Sequence, residues 1–199
     1  MMDKSKTVIL GSGVSGIGAV KLAQKKGLDI FLSDSKNIKS ETKKLLSKLE
    51  VKYEESGHTE KLIKDSKEII ISPGIDLRSL IKSKPSLKKK KIISEVEFAS
   101  RYTNAFIIAV TGTNGKTTTS KLIYHILKNS GFNVGLAGNI GYSFSESIVE
   151  NQFDYYVLEV SSFQLDHIIN FRPDISIITN ISPDPVSYTH LTLPTIDRV

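Results

Sequence analysis

Residues 112–117 read Gly112-Thr113-Asn114-Gly115-Lys116-Thr117, with Thr118 and Thr119 following. The run stands between an apolar stretch and an amphipathic one. Glycines let a backbone approach a ligand closely. The N–H groups that open a helix face anions, and the helix dipole favours their charge. A lysine at this spacing reaches β- and γ-phosphates, and the hydroxyl after it ligates Mg²⁺. The chemistry implied is ATP binding with Mg²⁺ by Gly112, Thr113, Asn114, Gly115, Lys116, Thr117 and Thr118. The general phosphate-loop pattern has a glycine at position 110, where this chain has Val110, so the loop is a G-x-x-G-K-T variant. An ordinary glycine turn at the start of a helix has no use for the lysine and the threonines.

A second glycine run, Gly11-Ser12-Gly13-Val14-Ser15-Gly16, matches G-x-G-x-x-G, and Asp34 follows where a ribose-binding acid belongs, about 20 residues on. By itself the run signals a dinucleotide, but the same geometry suits any diphosphate-linked nucleotide. A third segment, Glu159-Val160-Ser161-Ser162-Phe163-Gln164-Leu165, falls at the end of an expected strand. Ligands of open α/β sheets bind at that end. Glu159 there either completes a Mg²⁺ site with Thr117 or is a surface carboxylate, and spacing alone does not decide between them. His58, His125, His167 and His190 have no metal-ligand spacing, and His125 is expected on a helix surface.

The elements that must position these residues alternate. Strands are expected at 7–10, 29–33, 51–53 and 68–72, a surface turn at 88–91 leads into a short strand, and helices are expected at 14–26, 41–49, 60–64, 77–84 and 95–102. The alternation predicts a parallel sheet with covering helices. The pattern resets near 93. An apolar strand at 105–110, typical of a buried parallel sheet, precedes the second glycine loop. A helix at 118–129 follows, with Leu122, Ile123, Ile126 and Leu127 on one face, then strands at 133–137, 155–160 and 175–181. The fold class read from this is α/β: a Rossmann-like parallel-sheet domain at 1–93, then a P-loop-type α/β ATPase domain at 94–184.

Composition agrees with a soluble globular protein. Of 199 residues, 39% are hydrophobic and 24% charged, enough to build a core. The net charge of +6 comes from scattered lysines. The dense run Lys88 to Lys91 has no aromatic residues interleaved to stack bases, so no nucleic-acid partner is expected. The absence of cysteine removes disulfides and thiolate metal sites. The first apolar run is too short for a signal peptide or a membrane span, so no membrane partner and a cytoplasmic location are expected.

Together these residues resemble the Mur ligase family over residues 7 to about 184. Thr111 to Thr118 is similar to that family's ATP signature, which folylpolyglutamate synthases and cyanophycin synthetases share. Ser72-Pro73-Gly74-Ile75, Gly138-Asn139-Ile140-Gly141 and Glu159 to Leu165 look like the D-glutamate-adding member. The diaminopimelate- or lysine-adding member has His-Ala-Leu where this chain has Phe163-Gln164-Leu165. The alanine-adding member has histidine at the Asn114 position.

The resemblance implies a first domain that binds a UDP sugar rather than NAD, lined by Val14, Ser15, Asp34, Ser35, Ser72 and Gly74. Asn139 and Ser161 would contact that substrate from the second domain. Lys116 and Thr117 would bind ATP and Mg²⁺, Glu159 would hold a metal, and Lys116 and Glu159 would carry the catalysis. The implied substrates are ATP, UDP-N-acetylmuramoyl-L-alanine and D-glutamate, joined through an acyl phosphate by a full-length monomer.

The family follows Asn-Ile-Ser-Pro-Asp with a metal-binding histidine, whereas this chain has Pro185 after Asn180-Ile181-Ser182-Pro183-Asp184. Residues 185–199 are therefore expected to be a non-family tail. The C-terminal domain is expected to be absent, and the chain alone inactive as a ligase. Two other readings stand beside it: a non-catalytic nucleotide-binding fragment, and a nicotinamide-dependent oxidoreductase based on Gly11 to Gly16 with Asp34. A dehydrogenase has no use for Lys116-Thr117.

Overall fold

The computed structural model describes residues 6–182. Its first half contains β1 (Thr7–Leu10), α1 (Val14–Lys25), β2 (Ile30–Ser33), α2 (Ser40–Lys48), β3 (Lys52–Glu54), α3 (Glu60–Asp65), β4 (Glu68–Ile71), α4 (Leu77–Ser83) and β5 (Lys91–Ser94). The five strands form one parallel sheet in the order β3-β2-β1-β4-β5. The chain runs outward from β1 to β3 and then returns to β1's other side. The crevice beyond Leu10 and Ile71 is thus a topological switch point, where such sheets bind ligands.

The second half contains α5 (Glu95–Ser100), β6 (Phe106–Thr111), α6 (Lys116–Asn129), β7 (Val134–Gly138), α7 (Phe144–Glu150), β8 (Tyr155–Glu159), α8 (Ser162–Leu165) and β9 (Ile175–Ile178). Its sheet is also parallel, in the order β7-β8-β6-β9. All the expected strands form, with ends that shift by a few residues. The mixed α/β class with parallel sheets is as expected.

The turn expected before the fifth strand is a 3₁₀ turn, Pro85–Lys89, which the proline opens by presetting φ. Two local readings are corrected. The α6 helix begins two residues before the expected 118, because Gly115 takes a left-handed conformation (φ +80°) and starts the helix directly. Its apolar face is also split. Ile123 and Leu127 pack on Val110, Val134 and Val157, whereas Leu122 and Ile126 are 58% and 56% exposed. The helix lies over β6, β7 and β8, and the apolar stripe is wider than that contact.

The two sheets share a seam. α1 is buried on most sides because it packs on its own sheet and also against α7 and α5. Gly18 makes this possible, since a side chain there would overlap the Ser143 hydroxyl. Farther along, Lys21 pairs with Glu146, and the Lys25 ammonium donates to the Val149 carbonyl at 2.6 Å. Contacts advance together along both helices, so α1 and α7 run in the same direction. The turn before α7 therefore lies at the same end as the glycine turn before α1. One apolar core crosses the seam, from Ile9 and Leu32 to Phe144, Tyr156 and Leu158. Each such side chain contributes roughly 1.5–3 kcal/mol when fully buried.

A second tie is polar. One Glu97 oxygen accepts the backbone N–H groups of Ile169, Asn170 and Phe171 at 3.1, 2.9 and 2.8 Å. Burial raises the Glu97 pKa, but these amides and Arg101 outweigh it and hold the carboxyl below the ordinary range. The expected tail at 185–199 lies outside the described residues.

Candidate active site

The loop after β6 is built by position-specific constraints. Val110 is still a strand residue, paired with Glu159 and Ile177, so the turn starts only at Gly112. Gly112 has φ +136°, and a side chain there would overlap the Thr179 hydroxyl and come within 2.9 Å of the Asn180 carbonyl. The segment after β9 braces the loop. Thr113 N–H donates to the Asn180 carbonyl at 3.2 Å, and Asn114 N–H donates to Asn180 Oδ1 at 3.0 Å. Thr179 Oγ1 and Asn180 Nδ2 both donate to the Asn114 carbonyl. Sequence reasoning missed Thr179 and Asn180 because their role exists only once β9 pairs with β6.

Lys116 opens α6, and its ammonium donates to the carbonyls of Gly112 and Thr113 at 2.7 and 3.0 Å. It is thus held over the loop. The first N–H groups of α6 have no intrahelical acceptor and are available to an anion. Thr117 and Thr118 are exposed at the same helix end.

Glu159 is 1% exposed, so it is not a surface carboxylate. Its Oε2 accepts the Thr117 hydroxyl at 2.7 Å, and its Oε1 accepts Asn139 Nδ2 at 2.8 Å. The Asn139 N–H donates to the Glu159 carbonyl, also at 2.8 Å. Three separate motifs therefore meet at the carboxyl ends of β6, β7 and β8. Gly138 allows it, because a side chain there would overlap the Glu159 carbonyl. Among the described residues no group of three or more His, Cys, Asp or Glu forms a ready-made metal cage.

Ser161, expected to face substrate, caps α8. Its N–H donates to Gln164 Oε1 at 3.0 Å, and Gln164 N–H returns a bond to its hydroxyl at 3.4 Å. This box fixes the chain just beyond Glu159. His125 is exposed on α6.

The other expected residues gather at the first sheet's switch point. Val14 and Ser15 begin α1 after β1, Asp34 and Ser35 follow β2, and Ser72 and Gly74 follow β4. Gly11 has φ +96° and is closed in by the Ser72 side chain, and Gly16 packs against the Gly11 carbonyl. Asp34 Oδ2 accepts both the N–H and the hydroxyl of Ser12 at 2.6 Å, and Oδ1 accepts Lys36 N–H at 2.9 Å. Burial raises the Asp34 pKa, but Ser12, Lys36 and the nearby His58 outweigh it, leaving the carboxyl below its ordinary range.

Behind Asp34, the Ser33 hydroxyl lies 2.6 Å from His58 Nδ1 and donates to Glu54 at 2.7 Å. His58 was not singled out by spacing, because only the pairing of β2 with β3 brings it to Ser33. No helix among the described residues is long and apolar enough to cross a membrane.

This chain is similar to several known proteins. The MurD N-terminal domain model matches residues 6–81, and the Mur ligase middle domain model matches residues 110–192, past Asp184. A UDP-N-acetylmuramoylalanine–D-glutamate ligase from Bacteroides fragilis is 50% identical over 186 residues, 93% of this chain and 42% of that protein. The enzyme of that name from Porphyromonas gingivalis is 47% identical over 192 residues, 95% of this chain and 43% of that protein. The chain thus spans less than half the length of these relatives.

Among solved structures, UDP-N-acetylmuramate:L-alanyl-gamma-D-glutamyl-meso-diaminopimelate ligase from Neisseria meningitides aligns with a TM-score of 0.53 at 19% identity. That alignment covers 94% of this chain and 63% of that one. A murein peptide ligase from Psychrobacter arcticus gives 0.51 at 21% identity, over 90% and 44%. Both share the fold described above.

Proposed function

We propose, from the premise that this chain belongs to the Mur ligase family, that it carries the sugar-nucleotide and ATP sites of an amide ligase. The reaction is ATP-dependent addition of D-glutamate to UDP-N-acetylmuramoyl-L-alanine, the activity in its relatives' name. One observation carries the reading: Thr117, Asn139 and Glu159, from three motifs, form one hydrogen-bonded cluster at the mouth of the Lys116 loop.

The first domain holds the UDP sugar at the switch point through Val14, Ser15, Asp34, Ser35, Ser72 and Gly74. Asp34 fixes the turn by binding Ser12 and keeps acceptor capacity for the nucleoside. Asn139 lies at the same end of the seam and meets the far part of that long substrate. Ser161 supports the neighbouring backbone through its cap.

ATP lies on Gly112 to Thr118, with its phosphates toward the first amides of α6. Lys116 turns from the loop carbonyls to the β- and γ-phosphates. Thr117 and Glu159, already hydrogen-bonded to each other, would hold a Mg²⁺ ion through their oxygens. Such an ion, when bound, neutralises charge on the transferring phosphoryl group.

The alanine carboxylate oxygen attacks the γ-phosphorus, the bond to ADP breaks, and an acyl phosphate forms. The D-glutamate amine then attacks the acyl carbon. Phosphate leaves, the amine loses a proton, and the amide remains. The protein supplies position and charge neutralisation.

Titration with UDP-N-acetylmuramoyl-L-alanine, Mg²⁺–ATP and NADH tests this. The first two are expected to bind independently, and NADH not to compete with either. Displacement of the sugar nucleotide by NADH would instead support the oxidoreductase reading. Glu159→Gln is expected to weaken ATP about tenfold only when Mg²⁺ is present, one ligand charge being lost. Equal weakening without Mg²⁺ would remove Glu159 from the metal site.

A further inference from the structure

Glu95 is the first residue of α5, at the seam where both sheets meet, and it is 1% exposed. Its Oε1 accepts the Ser145 N–H at 2.5 Å, in the first turn of α7. Among the described residues neither its Oε2 nor the buried Ser145 hydroxyl makes a well-formed hydrogen bond. That hydroxyl lies against the Glu95 carboxyl.

No cation balances the carboxyl from the elements packed on it. Glu146 of α7 adds like charge. Lys21 of α1 is paired with Glu146, and Lys25 with the Val149 carbonyl. Glu68 of β4 is paired with Lys91 of β5 and with Arg101. Glu97, on the same helix, is turned to the 169–171 amides.

An ionised carboxylate in such a place is costly, as is each orphaned hydroxyl. The Ser145 hydroxyl can donate to a charged Oε2, but only a proton on Oε2, with the acid donating to that hydroxyl, also removes the uncompensated buried charge. The turn ahead of α7 depends on that helix's position. Ser143 caps α7, Gly138 N–H bonds to the Tyr142 carbonyl at 3.0 Å, and Asn139 reaches Glu159 from this turn.

We propose that Glu95 is a positioning residue whose protonated form latches α7 to α5 through Ser145 and so fixes the turn that delivers Asn139 to Glu159. Ionisation opens the latch and loosens the turn. Burial raises the Glu95 pKa to about 7, against the opposing bonds from Ser145 and Phe144. The change of state therefore falls near neutrality. The significance of Asn139 rests on the function proposed above, but the latch itself does not.

Amide hydrogen exchange of residues 139–148, corrected for intrinsic rates, tests it at about pH 6 and about pH 8. Wild-type protection is expected to fall about tenfold over that interval, one decade per pH unit across the titration. Glu95→Gln, whose amide mimics the neutral acid, is expected to hold protection at both pH values, and Glu95→Ala at neither. Protection that is flat with pH in the wild type overturns the proposal.

The Glu95 carboxyl carbon, followed by NMR in the wild type, decides independently of whether the variants fold. A midpoint near the ordinary 4.5 also overturns the proposal. Failure of sugar-nucleotide binding with the latch intact would overturn the proposed function alone.

Discussion

The turn after β1 and the turn after β6 share a plan, and they brace their acids in opposite ways. In the first, Ser12 of the turn itself holds Asp34. In the second, Glu159 is held by Thr117 of the following helix and by Asn139 from another strand. The first turn has no cationic side chain, whereas the second has Lys116 lying over its carbonyls.

The helices differ too. α1 is enclosed between its sheet and the seam, whereas α6 leaves Leu122 and Ile126 exposed. A turn that binds through backbone and neutral groups suits a substrate whose polar groups are spread out. A turn with a lysine over its carbonyls, followed by a threonine bonded to a buried carboxylate, suits concentrated phosphate charge with a metal ion. The strand–glycine–helix plan sets where an anion sits. The charges around it set which anion.

The largest test of this contrast is Lys116→Ala. ATP affinity is expected to fall about 100-fold or more, roughly 3 kcal/mol for a lost charge-assisted contact, with sugar-nucleotide affinity unchanged. Calorimetric titration of both ligands checks it, and a shared loss would break the division of labour.

Next comes the first turn's packing. In Gly16→Ala the new methyl meets the Gly11 carbonyl, whereas at Gly13 nothing lies within 4 Å. Urea unfolding is expected to show a loss of roughly 1–3 kcal/mol for Gly16→Ala and about 0.5 kcal/mol or less for Gly13→Ala. Similar values for the two would mean the turn is looser than its geometry.

The smallest effect is in acid. Asp34 is depressed in the folded chain, so its stabilisation is present above the ordinary 3.8 and lost as pH falls through the folded value. Asp34→Asn is expected to flatten the urea midpoint below about pH 4. Glu95 has the opposite sign. Raised from 4.5 to about 7, it contributes fully below 4.5 and loses that contribution as pH rises toward 7. Unfolding midpoints followed across the whole range therefore separate the turn from the seam.

Some misses were legible in principle. Both unforeseen helices open with a serine three residues before Glu or Gln: Ser143 with Glu146, and Ser161 with Gln164. That spacing is a capping signature, carried in the local sequence alone. The split face of α6 was not legible. Ile123 and Leu127 cannot be told from Leu122 and Ile126 by periodicity, because the sheet's width decides which are covered.

The sequence by itself determined what acts over a few residues. Strand and helix alternation, the two glycine turns and the lysine that opens α6 all follow from backbone sterics and short-range spacing. Tertiary structure alone decided what acts between distant segments. It buried Glu159 and joined it to Thr117 and Asn139, 42 and 20 residues away, and it set Glu95 against Ser145, 50 residues on. The reason is physical. A side chain's burial and partners depend on which elements pack against it, and parallel strands bring together ends that the intervening helices keep far apart in sequence.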